Sequence, residues 1–146
     1  MAERGLHSFD LRFDRAQHTA GLLADALALT PGIKRVIYPT RPDHPDHNRA
    51  MGLLQGQGGN MLSFELIGGR KAANAFTRAA DQIAFAPTLG DVGTTLSHPA
   101  SSSHRGLTPE ARAALGISEG FFRVSVGIED PDLLISEMTA AARASL

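Results

Sequence analysis

Apolar residues recur at spacings of three and four between Ser8 and Leu29, so that Phe9, Phe13, Ala16, Ala20, Leu23 and Leu27 fall on one face of a long helix. Pro31-Gly32 stops it, because neither residue continues a helix. The period then shortens. Val36-Ile37-Tyr38 reads as a short strand closed by Pro39, and Met61 to Ile67 alternates well enough for a second. Between them Asp46 to Leu54 reads as a helix, broken by Gly56, Gly58 and Gly59. Gly68-Gly69 turns into a helix from about Arg70 to Ala80, followed by a candidate strand over Gln82–Phe85. Pro87 to Gly93 is a loop, Thr94 to Ser97 is extended, and Ser101 to Gly106 is polar and flexible. Thr108-Pro109 predicts a helix N-cap with proline at the first helical position, and Asp130-Pro131 predicts another. The last helix carries Leu133, Leu134, Met138 and Ala141 on its predicted inner face.

Gly116 and Gly120 bracket the turn into the most apolar stretch, Phe121 to Asp130. Phe121, Phe122, Val124, Val126 and Ile128 suit a strand packed on a core. Arg123 interrupts them, and a fixed charge at such a place needs a partner or a polar cleft. Its planar fork matches a carboxylate. A structural ion pair or an arginine on an edge strand fits the same pattern, so the residue type alone leaves the role open. Three or four short strands alternating with four or five helices predict an α/β or α+β two-layer sandwich. No internal repeat and no low-complexity segment interrupts it.

Composition narrows the class. A chain of 146 residues is one ordinary domain, large enough for a real core. With 42% hydrophobic residues, 20% charged residues and a net charge of −1, neither disorder nor a nucleic-acid-binding surface is expected. Cysteine is absent, which excludes disulfides and thiolate chemistry. No apolar run approaches the roughly 20 residues of a membrane span. Met1 to Ser8 lacks the apolar core of a signal peptide, so the expected setting is cytoplasmic.

Other clusters carry less. Asp43-His44-Pro45-Asp46-His47 gathers metal-ligand types, but a proline loop is not a helix face and no further ligand cluster lies nearby. A solvated loop is the expected reading, with no metal. Ser97 to Arg105 sets hydroxyls beside His98 and His104, yet no G-x-S-x-G elbow is present, so a polar loop is expected rather than a triad. Gly56-Gln57-Gly58-Gly59 lacks the spacing of a phosphate-binding loop. The two lysines, Lys34 and Lys71, are both expected at the surface.

Taken in order, several short motifs resemble one family. They are Pro87-Thr88-Leu89-Gly90, Leu96-Ser97-His98-Pro99-Ala100, Ser103-His104-Arg105, Leu115-Gly116-Ile117-Ser118 and Arg123 to Asp130. Arg4-Gly5-Leu6-His7-Ser8 with Arg12, Arg35 to Pro39, Pro42 to Pro45 and Gly58 to Phe64 agree. Over nearly its whole length the chain resembles the C-terminal domain of the Cys/Met-metabolism pyridoxal-phosphate enzymes. These include cystathionine γ-synthase, the cystathionine lyases, methionine γ-lyase and the homoserine sulfhydrylases. The resemblance implies a small, mostly antiparallel sheet covered by helices, here as a single domain over residues 1–146. It implies that Arg123 grips a substrate α-carboxylate, assisted by the hydroxyl loop at Thr88 and its neighbour Leu89. The expected substrate is a sulfur-containing amino acid and the expected cofactor is pyridoxal 5'-phosphate.

The family's Schiff-base lysine, phosphate-binding residues and ring-stacking tyrosine belong to an N-terminal domain that finds no match here. The expectation is therefore a chain that is silent alone and acts by pairing with a large-domain chain. The alternative is a non-catalytic interaction module, self-associating through the exposed face of the first helix, or a remnant that pairs with a full-length paralogue. Many γ-specific members carry Gly-Val-Glu where this chain has Asp91-Val92-Gly93.

Overall fold

The computed structural model of the chain describes residues 2–146. A five-stranded sheet forms its middle, built from β1 (Ile33–Ile37), β2 (Met61–Leu66), β3 (Ala84–Phe85), β4 (Thr95–Ser97) and β5 (Phe121–Ser125). The spatial order is β1-β2-β5-β4-β3, with every neighbouring pair antiparallel except β3 with β4. The mostly antiparallel sheet matches the implied fold. The helices are α1 (Ala2–His7), α2 (Phe9–Ala28), α3 (His47–Leu53), α4 (Gly69–Ala79), α5 (Pro109–Ala114) and α6 (Pro131–Ala144). Helices α2 and α4 lie on the sheet, and α6 packs across both.

Alternation in the strands decides which side chains meet those helices. Val36, Leu62, Phe64, Leu66, Leu96, Phe122 and Val124 face the core with Leu23, Leu27, Phe76 and Met138. At its centre Phe64, Phe76 and Phe122 contact one another with ring centroids 5.1–5.3 Å apart. Each such pair contributes about 0.5–1.5 kcal/mol beyond the burial itself. The intervening residues, Ser63, Arg123, Ser125 and Ser97, point to the other face. Register makes this concrete: Ser63 and Ser97 lie directly opposite Arg123 on its two sides.

The caps form as the sequence predicts. Thr108 Oγ1 accepts from Ala111 N at 3.2 Å, and Asp130 Oδ1 accepts from Asp132 N and Leu133 N at 3.0 and 3.2 Å. Gly68, at φ 94°, turns β2 into α4 through a conformation that side-chain-bearing residues rarely adopt.

Four details depart from the sequence reading. Helix α1 precedes the expected start at Ser8. The buried stripe of α2 begins only at Ala16, because its first two turns run past the packed core; Phe9 stacks on Phe13 at 5.6 Å but stays 48% exposed. Leu133 is 72% exposed, lying one helical step off the Leu134–Met138–Ala141 stripe. Strand β5 ends at Ser125, which leaves Ile128 on the surface. Among the described residues no helix is long and apolar enough to cross a membrane.

Candidate functional site

On the sheet face opposite α2 and α4, Arg123 stands on β5, the middle strand of five. That excludes the edge-strand reading. An ion pair is excluded as well. Among the described residues the acid-paired cations are Lys34, Arg35, Arg41, Arg70 and Arg112, and Arg123 is not one of them. Its Nη2 donates to the backbone carbonyl of Thr88 at 3.1 Å, while its Nε is buried without a partner. A buried donor left unmade costs about 1–3 kcal/mol. The guanidinium is therefore held in place with hydrogen-bonding capacity unspent.

Beside it lies a cavity of about 200 Å³, lined by Arg123, Ser63, Ser97, Ser102, Ser103 and His104 with prolines and apolar side chains around them. No carboxylate lines it. A positive, hydroxyl-rich hollow without acids suits a small anion.

Two segments hold this site over the open face. The first is the loop from Ala86 to Gly90. Ala86 N donates to Leu96 O at 2.9 Å, Thr95 Oγ1 to Thr88 O at 3.1 Å, and Gly90 N to Ser125 Oγ at 3.0 Å. Thr88 thus meets Arg123 through its carbonyl, while its side chain and that of Leu89 are exposed and neither lines the cavity. The second is the segment from His98 to Glu119, whose residues 102–104 and Ile117 form one wall of the cavity.

In the sequence His98 and Ser101 read as part of a polar loop. Pro99–Ser101 instead winds a 3-10 turn, and His98 is 3% exposed with its ring against Phe122 at 4.9 Å. Around it Arg70 bonds to Ser101 Oγ and Glu119, and Arg112 Nη2 reaches Glu119 Oε1 at 2.5 Å. Burial pushes the Glu119 pKa up, and the hydrogen bonds from Arg112 and Arg70 more than offset this, so the net shift is down. The signal available in the sequence was the buried-strand pattern Thr95-Leu96-Ser97 running straight into His98.

The remaining candidates disperse. Asp43 pairs with Arg41, whose hydrogen bond lowers its pKa, and His44 Nδ1 accepts from Asp46 N at 3.1 Å. Among the described residues no three His, Asp or Glu side chains stand together for a metal ion. Lys34 bonds to Glu65 at 3.0 Å and is largely exposed, as is Lys71. Tyr38 is buried elsewhere, its hydroxyl donating to Gly59 O at 2.8 Å.

Comparison with known proteins gives this geometry its setting. The model of the Cys/Met metabolism PLP-dependent enzymes matches residues 1–143. The chain belongs to this family. It is 40% identical to L-methionine gamma-lyase of Pseudomonas putida over 142 residues, which are 97% of this chain and 35% of the relative. Against O-succinylhomoserine sulfhydrylase of Pseudomonas aeruginosa it is 41% identical over 135 residues, 92% of this chain and 33% of that one. Cystathionine gamma-lyase from yeast superposes with a TM-score of 0.91 at 33% identity, over 97% of this chain and 37% of the other. Cystathionine gamma synthase from Xanthomonas oryzae pv. oryzae, solved in complex with cystathionine, gives 0.88 at 37% identity, over 97% and 36%. The chain spans about a third of the length of the relatives it matches.

Members of this family are pyridoxal-phosphate enzymes. The residues present here do not fit the cofactor. No lysine lines the Arg123 cavity, Lys34 is held by Glu65, and the single tyrosine is sealed against α2 and Gly59. A pyridoxal-phosphate site needs an imine-forming lysine at the cofactor.

Proposed function

We propose that this chain supplies the substrate-carboxylate half of a pyridoxal-phosphate active site for carbon–sulfur bond chemistry on sulfur-containing amino acids. The cofactor and its lysine come, in this reading, from residues outside this sequence, by pairing with a large-domain chain or segment. The observation that carries it is Arg123: half-buried, central in the sheet, unpaired by any acid among the described residues, and facing a hydroxyl-lined cavity. A bidentate arginine–carboxylate pair fixes orientation as well as position. Fixing one end of an amino acid orients its reacting carbon, which is a large part of what a protein contributes to such a reaction. The Thr88 carbonyl steadies one edge of the guanidinium, and the neighbouring Leu89 is exposed and free to meet a substrate side chain.

Titration of the full chain with L-methionine tests this, followed by NMR at the Arg123 Nε–H. The expected result is a saturable shift in the wild type that Arg123→Gln abolishes and Arg123→Lys weakens, since an ammonium offers no planar fork. An unaltered response in Arg123→Gln would refute the assignment. Borohydride reduction of the chain with pyridoxal phosphate alone should give no stoichiometric adduct at Lys34 or Lys71.

A further inference from the structure

The wall of the cavity hangs on the two residues just before it, His98 and Pro99. Residues 101–104 are wound on the residue that precedes them. Ser101 N and Ser102 N donate to His98 O at 3.0 and 3.1 Å, Ser102 Oγ donates to the same oxygen at 2.9 Å, and His104 N donates to Pro99 O at 2.9 Å. Where His98 sits, the wall sits. The His98 ring is fixed at both nitrogens, Nε2 lying 2.9 Å from Glu119 O and Nδ1 2.8 Å from Ser101 Oγ. A carbonyl can only accept, so Nε2 carries the proton, and bare Nδ1 accepts from the Ser101 hydroxyl. The ring therefore ties the first residue of the wall segment to the last, across a gap of 21 positions.

We propose that His98 is a positioning residue for the carboxylate cavity: its ring staples the two ends of the segment 98–119 and so holds the wall Ser102–His104 in place beside Arg123. This rests on the reading of Arg123 as a carboxylate site. Three charged groups face the staple: Arg70 from α4, Arg112 from α5, and Glu119 itself. Burial is the largest influence holding the His98 pKa below its ordinary value; the Glu119 carbonyl bond opposes it, and the two arginines reinforce it. Protonation would turn an N–H toward Ser101 Oγ, which already accepts from Arg70, and would bury a third cation beside two. The neutral ring is the one that fits. Stapling therefore persists above the ordinary imidazole value of 6.5 and is lost as pH falls through the lower folded one.

The test uses the full chain as wild type, His98→Gln, His98→Phe and Ser101→Ala. Amide exchange at Ser102, His104 and Ile117 reads the wall, and exchange at Phe122 and Val124 reads the fold. L-methionine affinity at the Arg123 Nε–H reads the cavity. In His98→Phe, which keeps an aromatic ring against Phe122, wall protection and methionine affinity should each fall about thirtyfold, the worth of the two ring hydrogen bonds together. Protection in β5 should hold. His98→Gln, which can still donate to Glu119 O, should recover part of both.

Lowering the pH stepwise below the ordinary imidazole value of 6.5 should weaken methionine binding in the wild type and less in His98→Gln, with His104 common to both. If His98→Phe does not fold, Ser101→Ala and this pH comparison decide. A methionine response and wall protection in His98→Phe equal to the wild type overturn the positioning role alone. No methionine response in the wild type overturns the carboxylate reading, and the positioning role with it.

Discussion

Replacing Gly127 by alanine tests how tightly the loop beside Arg123 is bound to the sheet. Gly127 is buried just beyond β5, where the chain from Val92 to Thr94 crosses it. A Cβ added there would stand 2.3 Å from Val92 O, 2.7 Å from Gly93 C and 2.7 Å from Glu129 Oε2. The carboxylate can swing aside only by giving up its bonds from Thr94 N and Thr94 Oγ1, and the two backbone atoms cannot move without the loop. Overpacking of this kind costs about 1–3 kcal/mol. Relief requires moving Val92, which accepts from Ile128 N at 2.9 Å, or Thr94, whose Oγ1 accepts from Gly127 N at 3.0 Å. Losing one of those bonds brings the total to about 2–4 kcal/mol. For a domain of this size that is a fall in melting temperature of roughly 5–15 °C. Urea and thermal unfolding measure it, with Gly5→Ala as control, since nothing lies within 4 Å of a Cβ there. Because the same loop carries Thr88, the Arg123 Nε–H resonance should also move. A Gly127→Ala chain melting within about 2 °C of the wild type would show that the contact yields freely, and the reasoning would fail.

Three further outcomes follow from other parts of the structure. Burial, with Asp25 nearby, pushes the pKa of Tyr38 up to about 12, so the only tyrosine should titrate near that value by ultraviolet absorbance rather than near 10. Its contribution to stability is complete below the ordinary phenol value and is lost as pH rises toward 12; a midpoint at 10 in the folded chain would contradict its burial. Phe122→Ala removes the ring that meets Phe64, Phe76 and His98, and should destabilise the chain by about 3–5 kcal/mol in urea unfolding. Asp130→Ala leaves two amide groups at the start of α6 without their acceptor and should cost about 1 kcal/mol by the same measurement, with Asp130→Asn close to neutral.

What the sequence by itself determined is local. The periods of two and three to four placed α2, β2 and α6, because burial on one face imposes its spacing on any chain that forms these elements. Thr108 and Asp130 announced their caps because a capping side chain bonds within three residues of itself. The family was legible too, since the motifs that carry it are short and ordered along the chain.

Tertiary structure decided everything that depends on long-range pairing. Whether Arg123 stood on an edge or in the centre followed from β5 lying between β2 and β4, whose Ser63 and Ser97 pair with it from 60 and 26 positions away. That Thr88 meets it by carbonyl rather than hydroxyl followed from how Gly90 and Thr95 fix the loop. The exposure of Leu133 and Phe9 followed from where α6 and α2 outrun the core. His98, polar and beside a proline, looked like loop chemistry in one dimension. It is a buried staple because Glu119, Arg70 and Phe122 converge on it from three separate elements, and no local spacing encodes that convergence.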